Sequence, residues 1–164
     1  MPEFLIMNDK KYVPVDINKT IKKARSYCRY QERCHSEVKD KLYEWGLYKK
    51  DVEQIIAQLV TENFINEERF AIIYAGGKFR IKKWGKEKIK QALKFKKVSD
   101  YCINKALKEI DGKDYRKAIA EIINKKMKEI KEPDGWKKRY KIGQYLYSRG
   151  FEKELVSEML EELL

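Results

Sequence analysis

The sequence predicts an all-α protein made of three tandem three-helix repeats, and three observations predict it. Only three Pro and eight Gly interrupt 164 residues rich in Lys, Glu, Leu, Ile and Ala, a composition that favours helices over a turn-rich β fold. Apolar residues advance in steps of three or four, the spacing that lines one face of a helix. One arrangement of apolar positions also returns twice, about fifty residues on each time.

Met1 to Asp16 shows no sustained period and contains Pro2 and Pro14, so it reads as a flexible N-terminal arm. Its apolar cluster Phe4–Met7 is too short for a secretory segment or a membrane span. From Ile17, the series Ile17, Ile21, Ala24 and Cys28 marks the buried face of a first helix. Ser36 is placed to cap a second, with Glu37 at its positive end and Val38 and Leu42 inward, before Gly46 permits a left-handed stop. Asp51 to Leu59 forms a third, with Val52, Ile55, Ile56 and Leu59 inward.

The pattern then recurs. Leu42, Leu93 and Leu146 align, and four residues before each stands Val38, Ile89 or Ile142. Five residues after each stands Leu47, Val98 or Phe151. The register continues through Val52, Ile103 and Val156; Ile56, Leu107 and Leu160; and Leu59, Ile110 and Leu163. In the first helices Ile21 and Ala24 match Ile72 and Ala75. Each unit is thus a helical trio of roughly fifty residues, marginal alone and supported by its neighbours. The expected division is 17–65, 66–112 and 113–164. In the third unit the first helix runs on through Ala118, Ile119, Ile122 and Ile123 toward Ile130, and Glu132, Pro133, Asp134 and Gly135 break it.

Thirty-eight bases against twenty-six acids give a net charge of +12, which favours a phosphate-bearing or acidic partner. The charge is uneven. Lys78 to Lys97 holds ten Lys or Arg against Glu87, Asp51 to Glu68 holds five acids and no base, and Phe151 to Leu164 holds five Glu against Lys153. Cys28, Cys34 and Cys102 are odd in number and lack C-x-x-C spacing, which with no membrane-length apolar run suggests a reducing cytoplasm.

The chain resembles the RecX family of bacterial regulators of the recombinase RecA over residues 17–164. The first unit carries the resemblance through Ala24, Arg33, Ser36, Val38, Leu42 and Gly46. The second carries it through Asn66, Glu67, Glu68, Arg69, Phe70, Ala71, Tyr74, Gly85, Ile89 and Leu93, and the third through Leu146, Arg149, Gly150 and Phe151. Three positions depart from the family pattern: Asn66 replaces the first of an acidic pair, Cys28 stands where Leu is usual, and Lys97 replaces a glycine after Leu93. The resemblance implies an elongated, helix-turn-helix-like body that lies in the groove of a RecA–DNA filament and restrains ATP hydrolysis, extension and strand exchange. It places the protein in DNA repair, homologous recombination and the SOS response, as a monomer without a membrane partner or a cofactor. Capping of the filament and occupancy of its groove both fit.

The expected contacts to filament or DNA are Lys78, Arg80, Lys82, Lys83, Lys86, Lys88 and Lys90, mainly through phosphate. Arg25, Arg29, Arg33, Lys137, Lys138, Arg139, Lys141 and Arg149 are secondary candidates, for which a solvated face is an equal reading. Trp84 either stacks on a base or staples two helices, and Trp45 and Trp136 at similar glycine breaks favour packing for all three. Glu67, Glu68 and Arg69 read as a helix start with a local pair rather than as a catalytic set, and Phe70, Ile73 and Tyr74 as core. His35 beside Cys34 is the sole histidine, so metal and Cys–His chemistry lack partners. No G-x-x-x-x-G-K-[ST] occurs, and Gly76–Gly77 lies inside a helix. The expectation is a binder, not an enzyme. The competing reading is a free-standing DNA-binding protein, but the middle unit offers mostly Lys where base reading wants Arg, Asn and Gln.

Overall fold

A computed structural model describes residues 14–164, and the part of the expected N-terminal arm before Pro14 lies outside the described residues. Nine helices follow one another among these: α1 (Ile17–Tyr30), α2 (His35–Glu44), α3 (Lys49–Thr61), α4 (Glu67–Lys82), α5 (Lys86–Phe95), α6 (Asp100–Lys108), α7 (Gly112–Glu129), α8 (Gly135–Ser148) and α9 (Lys153–Leu163). Helix packs on helix within the trios α1–α3, α4–α6 and α7–α9, the closest pairing being α4 against α6.

The repeated register is also a register of burial. Leu42, Leu93 and Leu146 are fully buried, as are Val52, Ile103 and Val156 one helix later, and Ala24 and Ala75 in the first helices. Position by position, each trio closes over the same side chains. Two positions break the pattern. Leu163 is 44% exposed on the last turn of α9, unlike its counterparts Leu59 and Ile110. Ile73 is 52% exposed, and Ala71, Ala75, Gly76 and Phe79 line the buried side of α4 instead. The small residues let α6 pack closely on α4.

Several helix starts differ from expectation. Asp16 accepts the Lys19 N–H and caps α1, so it belongs to the helix rather than to the arm. Thr20, not Ile17, fills the first buried position of α1. Cys34, not Ser36, is the N-cap of α2, and the Glu37 carboxylate accepts the Cys34 N–H at 3.2 Å. Ser36 is free for another task because a hydroxyl in the first turn can point away from its own helix.

The turn between the second and third helix of each trio is left-handed at the same place. Gly46 and Gly150 have φ +91°, and Lys97 takes φ +62° where the other two units use glycine. The family departure at Lys97 therefore leaves the turn intact but gives it a side chain in a region that L-residues avoid.

The core has two parts. Residues 24–65 enclose one cluster, from Ala24 to Ile65, and a second, larger cluster runs from Phe70 through Leu160 across the other two trios. Cys34 links them: it sits in the chain of the first trio but is buried in the second cluster. All three cysteines are buried and unbonded to one another.

Candidate nucleic-acid interface

Neighbouring trios meet through one repeated joint, and the joint decides where the cations go. In both cases the start of a unit's second helix docks on the left-handed turn of the next unit. At the first joint, Ser36 Oγ donates to the Lys96 carbonyl at 2.6 Å, and Lys96 Nζ pairs with Glu37 Oε1 at 2.7 Å. Burial pulls the Lys96 ammonium down, but the hydrogen bond to Glu37 together with the charges of Glu37, Cys34 and Tyr74 outweighs it and raises Lys96 above the usual lysine value. Arg69 reinforces this joint from α4, reaching Glu32 at 2.9 Å as well as the nearby Asn63. Its pairing is thus partly local and partly across units.

At the second joint the donors are backbone N–H groups at the start of α5. Gly85 N–H donates to the Arg149 carbonyl at 2.7 Å and Glu87 N–H to the Gly150 carbonyl at 2.9 Å. Lys86 N–H donates to the Tyr115 hydroxyl at 3.0 Å, which in turn donates to Glu152 Oε2 at 2.8 Å. Burial pushes the Tyr115 phenol far above its ordinary value, so it stays a donor at any physiological pH. Three of the orphan N–H groups that every helix start carries are satisfied by the neighbouring unit. A Cβ on Gly85 would fall inside contact distance of the Gly150 and Phe151 backbone, so only glycine allows this approach.

Docking places the end of α4 beside α7 and α8. There a cleft of about 260 Å³ is lined by Lys82, Lys83, Lys125, Lys126, Tyr145 and Arg149, with Glu121 as its acid. Lys83 ends α4 in a left-handed conformation, φ +55°, which turns the chain toward the joint. The Arg149 guanidinium donates to the Lys82 carbonyl, tying α8 to the last turn of α4. Lys126 Nζ lies 4.2 Å from the Tyr145 ring centre and 2.9 Å from Glu129, and that carboxylate raises its affinity for a proton. Lys82, Lys83 and Arg149 have no carboxylate within 4 Å among the described residues. Closely spaced cations without counter-charges repel one another and favour an anion between them.

The structure divides the basic window that the sequence presents as one run. Lys82 and Lys83 face this cleft. Lys78 and Lys88 close on Trp84 at 4.8 and 4.7 Å, and Lys86 on Tyr115 at 4.8 Å, so three of the seven lie over aromatic rings near the joint. Arg80 lines a different hollow with Asp114 and Glu121, and Lys90 is half-buried on α5.

Among the secondary candidates, Arg25 forms a two-point pair with Glu62 at 2.7 and 2.8 Å, and Arg29 and Arg33 lie over Phe64 and Tyr27. Lys141 pairs with Glu132 at 3.1 Å, Arg139 reaches the Leu160 carbonyl at 3.4 Å, and Lys137 and Lys138 have no carboxylate partner among the described residues. Lys125 and Lys126 lie on α7, about forty residues beyond Lys82 and Lys83, and nothing along the chain shows that the two pairs meet in one cleft. Glu68 at the start of α4 pairs with Lys105 of α6 at 2.8 Å.

The tryptophans also separate. Trp45 packs on the first cluster and Trp84 on the second, as expected. Trp136 does not: it is 74% exposed and belongs to neither. Stacking on Tyr140 one turn along the same helix takes the place of core packing. No helix among the described residues is long and apolar enough to cross a membrane, and no group of three His, Cys, Asp or Glu there is gathered to hold a metal.

Comparison with known proteins agrees with the fold and its repeats. The family models for the second and third three-helix domains of RecX match residues 66–107 and 113–160. A regulatory protein RecX from Clostridium tetani is 35% identical over 143 residues, which are 86% of this chain and 65% of that protein. A regulatory protein RecX from Bacillus cereus is 25% identical over 148 residues, 90% of this chain and 55% of that one. The chain thus spans about half to two thirds of the length of these relatives. A crystal structure of RecX from Lactobacillus salivarius superposes with a TM-score of 0.83 at 26% identity, covering 90% of this chain and 96% of the other.

Proposed function

The chain belongs to the RecX family, and from that premise we propose that it is a non-enzymatic regulator of the RecA–DNA filament. It binds the filament and inhibits its ATP hydrolysis, extension and strand exchange. The observation that carries this reading is the cleft at the second joint, where Lys82, Lys83 and Arg149, without carboxylate partners among the described residues, meet Lys125 and Lys126, which share Glu129. Such a cleft takes a phosphate backbone or an acidic protomer surface as a ligand. The three units, 17–65, 66–112 and 113–164, supply successive weak contacts along a helical partner, and their contributions add because they are linked. Lys78, Lys86, Lys88 and Lys90, set apart from the cleft on α4 and α5, supply further positive charge for the same partner, and the protein acts as a cytoplasmic monomer.

The test is RecA-catalysed ATP hydrolysis on single-stranded DNA, titrated with the wild type and with the triple variant Lys82→Glu, Lys83→Glu, Lys125→Glu. The variant is expected to need at least tenfold more protein for half-inhibition. Its inhibition should also respond less to salt, the slope falling by roughly 0.7 for each phosphate that is no longer neutralised. Equal inhibition by both proteins at every salt concentration removes the cleft from the mechanism. Tight, sequence-selective binding to bare duplex without effect on RecA replaces the whole reading with the free-standing DNA binder.

A further inference from the structure

Trp136 and Tyr140 form an aromatic shelf that the proposed cleft does not use. The two rings lie 5.8 Å apart and within 12° of parallel, and they are 74% and 56% exposed. Both stand on one face of α8, four residues apart. The other tryptophans show what the alternative looks like, since Trp45 is held by Tyr27 and Lys23 and Trp84 by Lys78 and Lys88. Nothing among the described residues covers Trp136 in this way. An exposed indole stacked on a phenol leaves an apolar ring face in water, which is a cost that a ligand with its own flat face relieves.

The surroundings say which ligand. Residues 125–141 carry eight Lys or Arg against three acids. Glu132 is engaged by Lys141, and Asp134 caps α8 by accepting the Lys137 N–H at 2.9 Å. Lys137, next to Trp136, is exposed and has no carboxylate partner among the described residues, whereas Lys138 is half-buried in line with Ile142 on the other side of α8. Beyond Tyr140 the shelf opens into a cleft of about 260 Å³ between α8 and α9, where Arg139 and Gln144 offer hydrogen bonds and Glu161 is the acid. Ring faces beside an unpaired ammonium group match a chain of flat bases joined by phosphates. We infer that Trp136 and Tyr140 are a base-stacking site for single-stranded nucleic acid, with Lys137 on its phosphates. Duplex fits poorly, because its bases are already stacked and show only their edges. The inference rests on the proposed function only in taking nucleic acid as the neighbour, and it requires no recombinase.

The experiment therefore uses the full chain and bare oligonucleotides: oligo(dT), and an abasic strand of equal length and charge. The wild type should bind oligo(dT) more tightly than the abasic strand. Trp136→Ala should lose roughly tenfold in affinity for oligo(dT), bind both strands alike, and keep the salt slope. Trp136→Tyr, which retains a ring, should keep the preference. Lys137→Ala should flatten the slope by roughly 0.7 and leave the preference intact. The side chain of Trp136 is exposed, so an unchanged thermal midpoint accompanies each outcome. Equal affinity of wild type and Trp136→Ala for oligo(dT) overturns the inference. So does a Trp136→Ala protein that binds oligo(dT) normally but no longer inhibits RecA, because the shelf is then a protein contact. Failure on bare oligonucleotides leaves the ATPase test of the cleft unaffected.

Discussion

Replacing Gly85 by alanine tests the second joint, and the expected loss follows from three hydrogen bonds. The added Cβ meets the Gly150 carbonyl group and the Phe151 nitrogen, which are backbone atoms at a turn and cannot swing aside like the end of a side chain. The α8–α9 turn must retreat by roughly an ångström to restore ordinary contact distance. That shift breaks or lengthens the bonds from Gly85 N–H to Arg149 and from Glu87 N–H to Gly150, and strains the one from Lys86 N–H to Tyr115. At about 1 kcal/mol each, the joint loses on the order of 3 kcal/mol, a large share of a typical total of about 5–15 kcal/mol. Gly85 has an ordinary φ of −77°, so the effect is steric and owes nothing to backbone strain. Urea denaturation measures the loss, and hydrogen exchange at the Glu87 amide localises it. Gly77→Ala is the control, because nothing lies within 4 Å of its Cβ and a helix interior gains about 0.5–1 kcal/mol from the same change. A Gly85→Ala protein with an unchanged midpoint and a protected Glu87 amide would refute the joint as described. If the joint fails, the cleft between α4 and α8 should open too, and the proposed inhibition of RecA should weaken with it.

Two further outcomes test the fold more locally. Lys97→Gly relieves a left-handed lysine at a turn where Gly46 and Gly150 occupy the same place, and should stabilise the protein by about 1 kcal/mol, raising the thermal midpoint by roughly 2–4 °C; a lower midpoint would show that the Lys97 side chain contributes more than its backbone costs. The Arg25 guanidinium, and then Gln58, hold the Glu62 carboxyl down to about 2 from an ordinary 4.5. A lowered folded-state value means that the contribution is complete above about pH 4.5 and is lost as pH falls toward 2. In Arg25→Gln, NMR titration should find Glu62 back near the ordinary range, and a midpoint still near 2 would assign the shift elsewhere.

Much of this architecture was legible along the chain. Leu42, Leu93 and Leu146 and their partners mark the buried faces because helical periodicity and burial are local properties, written into every turn. Gly46 was readable as a stop for the same reason, since a glycine after a helical run permits the left-handed φ that ends it. The resemblance to RecX rested on that same spacing. The error at Ile73 has the opposite origin: α4 is packed closely by α6, and small residues took the buried positions that a hydrophobicity pattern assigns to large ones.

By itself, then, the sequence determined nine helical segments, their grouping into trios and the net positive charge, because each depends on residue type and on spacing within a few turns. Only the tertiary structure decided which cations stand together. Lys82 reaches Arg149 across 67 positions, and Ser36 reaches Lys96 across 60, through carbonyl groups that every residue possesses and that therefore leave no trace in the side-chain pattern. The rotation of one unit on the next is set by those backbone contacts, and with it the separation of Lys78, Lys86 and Lys88 over aromatic rings from Lys82 and Lys83 in the cleft. Trp136 shows the same limit on a smaller scale: a tryptophan beside a glycine looks alike in all three units, and only the surrounding helices determine whether its ring meets a core or water.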